Sequence, residues 1–427
     1  MFLLYDLIFL IIAVVFLPAY LFKGKFHKGF LSRLGFLPAN LALKQPIWVH
    51  AVSVGEAMAV KGLIDALRKK FPGRQLVISS VTPTGNKVIR DFAVENDFVT
   101  YLPLDFSFIT EKVVKEIYPS LVIIAETELW PNFILSLSKR GIPVLVVNAR
   151  ISDKSLRGYL WIRQIFKPIL NKVDLFCAQS SRDAERLRAI GVAKEKVRVT
   201  GNMKFDAMDP AVCPPDAAAA DAGFKQGIGL APEAKLLVAG STHPGEEEIV
   251  LGAYRSLSAK FTSLRLVLAP RHPHRSAEII KLVVKYGFNP FRVSQLSASS
   301  RLPAEKAVLI LDVVGRLKPF YAASDIVFVG GSLIKKGGHN IIEPACFAKS
   351  IICGPHMFNF RDIADLFAGS RAFIIVKSGQ ELEKAAADLL DNPSSAAELG
   401  KRARELVAQN QGATLKNLEC ARELLKC

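Results

Sequence analysis

The chain has 427 residues, 50% of them hydrophobic and 22% charged, a composition that suits two folded domains with separate cores and excludes a disordered or low-complexity protein. With 56 Lys and Arg against 39 Asp and Glu, the formal net charge of +17 points to polyanions: anionic lipid, phosphorylated substrates or nucleic acid. Nucleic acid is excluded as a main partner, because the basic residues are scattered through most of the candidate helices instead of forming a stripe with interleaved aromatics.

The first predicted element is the apolar run Phe2 to Phe22. As a helix its 21 residues reach about 31 Å, enough for a hydrocarbon core of about 30 Å. Nothing basic precedes Lys23, and Pro18-Ala19-Tyr20 is a poor cleavage site, so the run does not read as a signal peptide. Lys23, Lys25, Lys28 and Arg33 follow it and place the body of the chain in the cytoplasm by the positive-inside rule. Asp6 lies inside the run and keeps two alternatives open, a first core helix or a shallow interfacial one.

From Ile47 onward, short and almost continuously apolar segments alternate with amphipathic ones, as in parallel sheets buried on both faces. Predicted strands are Ile47–Val52, Gln75–Val81, Phe98–Leu102, Leu121–Ala125, Val144–Val147, Leu175–Ala178 and Val197–Thr200, with crossover helices such as Ala57–Lys70 and Ser181–Ile190. A linker rich in Pro, Ala and Asp follows, and then a second series: Leu236–Gly240, Leu264–Leu268, Phe291–Val293, Val308–Asp312, Ile326–Val329, Ser350–Cys353 and Phe373–Val376. Pro393 to Leu425 reads as terminal helices. The expected organisation is an anchor over 1–22, an N-terminal domain over 23–205, a linker over 206–230, a C-terminal domain over 231–400, and terminal helices over 401–427 that could pack back on the first domain. Two doubly wound α/β domains of this kind bind ligands at the carboxyl ends of their strands, in a cleft between them. The cysteines Cys177, Cys213, Cys346, Cys353, Cys420 and Cys427 form no C-x-x-C or zinc-like spacing and read as free thiols in a reducing compartment.

Several strand ends carry chemistry. In His50-Ala51-Val52-Ser53-Val54-Gly55-Glu56, Ser53 and Glu56 have the spacing of a capping box, and Glu56 also stands where a general base would. Glu126 and Glu128 follow the fourth strand, on one side of the chain if the extended geometry persists. Asn148 to Ser152 ends the next strand, and a basic helix follows with Arg157, Trp161, Arg163 and Lys167, suited either to lipid phosphates or to plain solvent. Lys204 lies at the end of the first domain, where it could meet an anion. In the second domain, Gly240 to Glu246 (with Ser241, Thr242 and His243) places small residues at a helix start suited to phosphate. Arg271, in Ala269-Pro270-Arg271-His272, offers a phosphate-directed guanidinium. Gly330 to Ser332, then Gly337 to Pro344, turn into a helix with Glu343 one turn inside, spaced to accept ribose hydroxyls. There is no G-x-x-x-x-G-K-[ST], no G-x-G-x-x-G after the first strand and no H-E-x-x-H. No Asp-x-Asp pair is present for a metal-held nucleotide diphosphate, so chemistry with neither metal nor cofactor is expected.

In this order, His50 to Glu56, Glu126 to Asn132, Asn148 to Ser152, Thr200 to Asp206, Gly240 to Glu247, Pro270 to His272 and Gly337 to Pro344 resemble the bacterial Kdo (3-deoxy-D-manno-octulosonic acid) transferases, over the chain to about residue 400. The resemblance implies a GT-B fold of two Rossmann-like domains facing a cleft. It also implies an acceptor domain followed by a donor domain, and an inner-membrane enzyme facing the cytoplasm that transfers Kdo from CMP-Kdo to the lipid A precursor. It assigns Glu56 as base and Glu126 and Lys204 as transition-state stabilisers. Pro270 and Arg271, Val314-Gly315-Arg316, and Asn340, Ile341, Ile342 and Glu343 fall on its CMP-binding segments, with Ser241, Thr242 and His272 beside them. Arg316 departs from the acid found in some relatives, which leaves a backbone role intact and a side-chain role open. The alternatives are a GT-B transferase using a UDP-sugar, a sugar-nucleotide epimerase, and a non-catalytic sugar-nucleotide or lipopolysaccharide-binding protein.

Overall fold

The computed structural model describes residues 5–7, 9–11, 14–15, 29–208, 223–296 and 306–425. The chain divides into two compact units, Met1–Ala207 with Asn410–Cys427, and Met208–Gln409.

In the first unit, β1 (Ile47–His50), β2 (Leu76–Ser80), β3 (Phe98–Tyr101), β4 (Leu121–Ala125), β5 (Val144–Ala149), β6 (Leu175–Ala178) and β7 (Val197–Val199) form a sheet of order β3-β2-β1-β4-β5-β6-β7. Every described pairing in it is parallel. The continuous apolar runs arise because alternate residues serve different cores. Ile47 and Val49 pack with Leu63, Ile64 and Leu67 of helix Val54–Lys70. Trp48 faces the other way, edge-on to Phe133 with ring centroids 5.0 Å apart, and its indole N–H donates to Ser79 Oγ at 2.8 Å. Helix Ala413–Leu425 adds Ala413, Leu418 and Ala421 to the Leu63 side. Its start is held by Asp206, whose carboxylate accepts the N–H groups of Gly412 and Thr414 at 2.7 and 2.5 Å.

In the second unit, β8 (Lys235–Thr242), β9 (Leu264–Pro270), β10 (Asn289–Arg292), β11 (Ala307–Ile310), β12 (Ile326–Val329), β13 (Ser350–Cys353) and β14 (Ile374–Ile375) form a parallel sheet of order β10-β11-β9-β8-β12-β13-β14. Both sheets reverse direction of growth between two central strands, β1 and β4 in the first and β8 and β12 in the second. Loops leaving such strand pairs at their carboxyl ends form the usual ligand site.

Every predicted strand is present; Leu121–Ala125, Leu175–Ala178, Ile326–Val329 and Ser350–Cys353 keep their predicted ends, and the others are shifted. β5 runs on to Ala149 because Asn148, at φ 53°, stays in the sheet while its side chain accepts the Met203 N–H at 3.0 Å. β8 continues to Thr242 through a register shift against β9 at Ser241, where φ is 57°. The predicted boundary at residue 400 falls inside helix Pro393–Asn410, and most of the expected linker 206–230 lies outside the described residues.

The expected membrane-crossing helix over 2–22 finds no support: much of that run lies outside the described residues, and no described helix is long and apolar enough to cross a membrane. Asp6 is tied to polar partners. Its carboxylate accepts the backbone N–H of Ser107 at 3.0 Å, the Ser107 hydroxyl at 2.5 Å and the Asn132 amide at 2.7 Å.

Within the second unit, helix Pro393–Asn410 packs tightly at Gly400, where an added Cβ would collide with the Ala348 carbonyl oxygen. Because the obstacle is backbone, Gly400→Ala must displace the helix, and we expect a loss of about 1–3 kcal/mol. The check is a thermal melt; an unchanged midpoint would show that the helix can slide freely.

Candidate functional site

The loops beyond β1 and β4 hold the carboxylates of the first unit. Ser53 is the N-cap of helix Val54–Lys70 and accepts the Glu56 N–H at 3.4 Å, while Glu56 reaches back to the Val52 N–H and the Ser53 hydroxyl, each at 2.8 Å. The capping box read in the sequence is therefore formed. Each carboxylate oxygen accepts one of these bonds and keeps a second lone pair. Glu56 is only 8% exposed, and its pKa rises to about 7. Burial is the main cause; the hydrogen bonds from Ser53 and Val52 oppose it, and the nearby charges of Glu126 and Glu128 add to it. The helix start thus does not hold this acid in the ordinary carboxylate range.

The extended geometry that would place Glu126 and Glu128 on one side does not persist. The strand stops at Ala125, and Glu126 turns into the left-handed region at φ 56°. That turn brings Glu126 to Lys204, Nζ to Oε1 3.6 Å, with both side chains about three-quarters buried at 23% and 28% exposure. Lys204 is set by a chain of amides. Asn148 holds the Met203 N–H, Gln179 donates to the Asn148 carbonyl at 2.9 Å, and Asn202 donates to Gln179 at 2.9 Å and accepts the Lys204 N–H at 3.0 Å. Burial, then the Glu126 charge, raises the Glu128 pKa. Glu56, Glu126, Glu128 and Lys204 therefore form one electrostatically connected group at the switch point between β1 and β4.

The basic segment after β5 is two helices, Asp153–Trp161 and Arg163–Leu170, instead of one. Trp161 is 90% exposed there, with exposed Leu160 and Ile165 beside Arg157, Arg163 and Lys167.

In the second unit the predicted donor residues divide. Thr242 is fully buried and spends its hydroxyl on Glu247 at 2.9 Å, so it is a core residue, and Ser241 forms the bulge of β8. The helix start after Gly245 is filled by its own acids. Glu248 accepts the Gly245 N–H at 3.1 Å. Glu246, fully buried, accepts the N–H groups of Gly331 at 2.6 Å, Ser332 and Leu333 at 3.0 Å, and His243 at 3.2 Å. This corrects the expectation of an open phosphate seat at that helix: three acids occupy its first turn.

Pro270, the last residue of β9, is buried, and Arg271 and His272 just beyond it are exposed. Val314 is 82% exposed, Gly315 takes φ 81°, and Arg316 precedes helix Leu317–Ala323. Ile341 and Ile342 are fully buried. Asn340 accepts the Ile342 N–H at 3.0 Å and donates to Glu343 at 3.2 Å. Glu343 is the second residue of a five-residue helix, Ile342–Cys346, and does not lie one turn inside. Burial raises its pKa, opposed by Lys318, Asn340 and Arg271, so Arg271, Lys318, Asn340 and Glu343 belong to one cluster.

Sequence reasoning missed two features. One is Glu246 as the fastener of the loop after β12. The other is the pair His243 and His339, whose Nε2 atoms lie 2.9 Å apart, with ring centroids 5.1 Å apart and ring planes within 5° of parallel, so that the rings meet edge to edge. The partners are 85 to 96 positions away in sequence, so no local pattern marks them. Only the strand order, which places β8 beside β12, could have signalled either.

A family profile described as "3-Deoxy-D-manno-octulosonic-acid transferase (kdotransferase)" matches residues 28–207. The chain is 34% identical over 405 residues to the 3-deoxy-D-manno-octulosonic acid transferase of Haemophilus influenzae, covering 94% of this chain and 92% of that one. It is 30% identical over 401 residues to the transferase of the same name from Chlamydophila psittaci, covering 92% and 90%. Among solved structures, a putative UDP-N-acetylglucosamine 2-epimerase from Listeria monocytogenes matches with a TM-score of 0.59 at 15% identity, over 90% of this chain and 97% of that one. At that identity the likeness concerns the fold alone, two parallel-sheet α/β units of GT-B-like kind. The relatives, matched over nearly their full length, settle the family: the chain belongs to the Kdo transferases and is a glycosyltransferase.

Proposed function

We propose that the chain transfers Kdo from CMP-Kdo to the lipid A precursor, lipid IVA, in lipopolysaccharide biosynthesis, by direct displacement with inversion, without metal, on the cytoplasmic face of the inner membrane. The observation that carries this reading is the connected group Glu56, Glu126 and Lys204 at the first switch point. Glu56 takes the proton of the attacking acceptor hydroxyl, for which a pKa near 7 is well matched to neutral pH. Lys204, steadied by Glu126, offsets the donor carboxylate or the leaving phosphate. CMP is a good leaving group, so positioning and charge stabilisation supply most of what remains. Arg271, Asn340 and Glu343, with the backbone of Pro270, Val314 to Arg316, Ile341 and Ile342, hold the CMP moiety, and His272 lies beside them. The exposed Trp161 among arginines suits a surface that works against anionic lipid.

The test is incubation with CMP-Kdo and lipid IVA, with products weighed by mass spectrometry and CMP or UDP added as competitor. We expect a mass gain of whole Kdo residues, release of CMP, and inhibition by CMP. Inhibition by UDP alone would move the chain to a UDP-sugar transferase, and tight CMP-Kdo binding without CMP release would make it a binding protein.

A further inference from the structure

The paired imidazoles of the second unit have a chemistry of their own. With Nε2 to Nε2 at 2.9 Å, one nitrogen must carry the proton and the other must accept it. The neutral pair therefore holds a single Nε2 proton between its rings. A further proton can enter only at an outward Nδ1, giving a cation spread over both rings with a new N–H donor. Gly331, at φ 67°, forms the floor: an added Cβ would stand 3.1 Å from His339 Cδ2 and 3.4 Å from His243 Cδ2.

Most charged groups around the pair are cationic. Arg271 and His272 act on both rings, and Lys336 and Arg275 act on His243. Arg275 is already neutralised by Glu247 at 2.9 Å and Glu278 at 3.0 Å. Glu246 meets the His243 backbone and is consumed by the loop N–H groups, and Glu343 with Asn340 follows His339. Exposed Arg271 and Lys336 are thus left facing the pair with an excess of positive charge. Burial first, then Arg271, His243 and His272, holds the His339 pKa down to about 4; burial and the same cationic surroundings lower His243. Empty, the pair is neutral at neutral pH. An anion placed among these groups cancels the repulsion and gives the Nδ1 proton an acceptor.

We propose that His243 and His339 form a proton-sharing imidazole pair at an anion subsite of the donor unit, which takes up one proton from solvent when a phosphodiester binds. The proposal rests on the reading of this unit as the CMP-sugar site and adds a proton to its binding equilibrium: neutral pair, anion and proton combine to a cationic pair holding the anion. Because the bound state has the higher pKa, affinity strengthens as pH falls towards the free-state value and weakens above the bound-state value.

The probe is cytidine 5′-methyl phosphate, whose single charge does not titrate in the working range, measured by calorimetry on the full chain at pH 6.5 in two buffers of different ionisation heat. We expect an uptake of about half to one proton per site, and affinity rising up to about tenfold per unit fall in pH within the window. His339→Gln and His243→Gln keep a hydrogen-bonding side chain and, with an unchanged melting midpoint as control, should bind the probe more weakly and without uptake. Cytidine should bind with no uptake. Probe binding without proton uptake, equal uptake with cytidine, or uptake persisting in both folded variants would each overturn the pair's role and leave the donor reading standing. Failure of both ligands to bind would remove the donor reading and this proposal together.

Discussion

Glu56→Gln is expected to lower the rate of transfer by about 10²- to 10⁴-fold, the share that a positioned base supplies. The fold should survive, because the amide can keep the Val52 N–H on its oxygen and donate to Ser53 Oγ, preserving a capping box of the Gln type. The pH dependence gives an independent reading. With its pKa raised to about 7, Glu56 is competent only when deprotonated, so kcat/KM should climb tenfold per unit up to about pH 7 and level off above it. Stability runs the other way. A carboxyl whose folded pKa is raised contributes stability that is complete below its ordinary value and is lost as pH rises through about 7. The Gln variant, which cannot ionise, should therefore gain on the wild type in denaturant midpoint between pH 5 and 8. Near-normal turnover in the variant would take Glu56 out of the mechanism; an acid limb near pH 4.5 in the wild type would show that Glu126 and burial do not tune it.

The largest stability effect is expected for Glu246→Ala, a loss of about 3–5 kcal/mol, as when one partner of a buried charged network is removed. The substitution strands the N–H groups of Gly331, Ser332, Leu333 and His243. The consequences spread along the strand ends, since the Gly331 carbonyl accepts the Gly338 N–H at 2.8 Å. Ser332 accepts the N–H groups of Gly354 at 2.8 Å and His356 at 2.9 Å. Glu246→Gln keeps the shape but turns two acceptor sites into donors facing donors, so it should fall between wild type and Ala. Equilibrium urea unfolding measures the loss, and CMP affinity should fall in parallel as the Gly337–Asn340 turn loses its support. A variant with wild-type stability would mean that water replaces the carboxylate at no cost.

The strands were legible because a parallel sheet covered on both faces needs apolar side chains at every position, and that demand shows as unbroken runs such as Leu121–Ala125. Helix starts were legible where a side chain caps them locally, as Ser53 does. The site was legible only as a set of strand ends. That Glu126 meets Lys204 depends on a left-handed residue and on the amide chain through Asn148, Gln179 and Asn202, four segments that no window spans. Glu246 reads in sequence as an acid complementing its own helix, because that is what an acid in a first turn ordinarily does. Its real partners are fixed by which strand lies next to β8. Thr242 misled for the complementary reason: a hydroxyl in a loop-like motif suggested a ligand, and the strand simply continued through it into the core.

The return of residues 410–425 to the first unit makes the second unit, in chain terms, an insert carried by the first. Dissection is therefore asymmetric. Residues 208–409 are contiguous and can be expressed as one piece, whereas cutting at 207 strips the apolar side of helix Val54–Lys70 of its cover and leaves Asp206 without its amides. A nonsense change at the start of helix Ala413–Leu425 would then damage the half that holds Glu56, although it lies beyond the whole of the second unit.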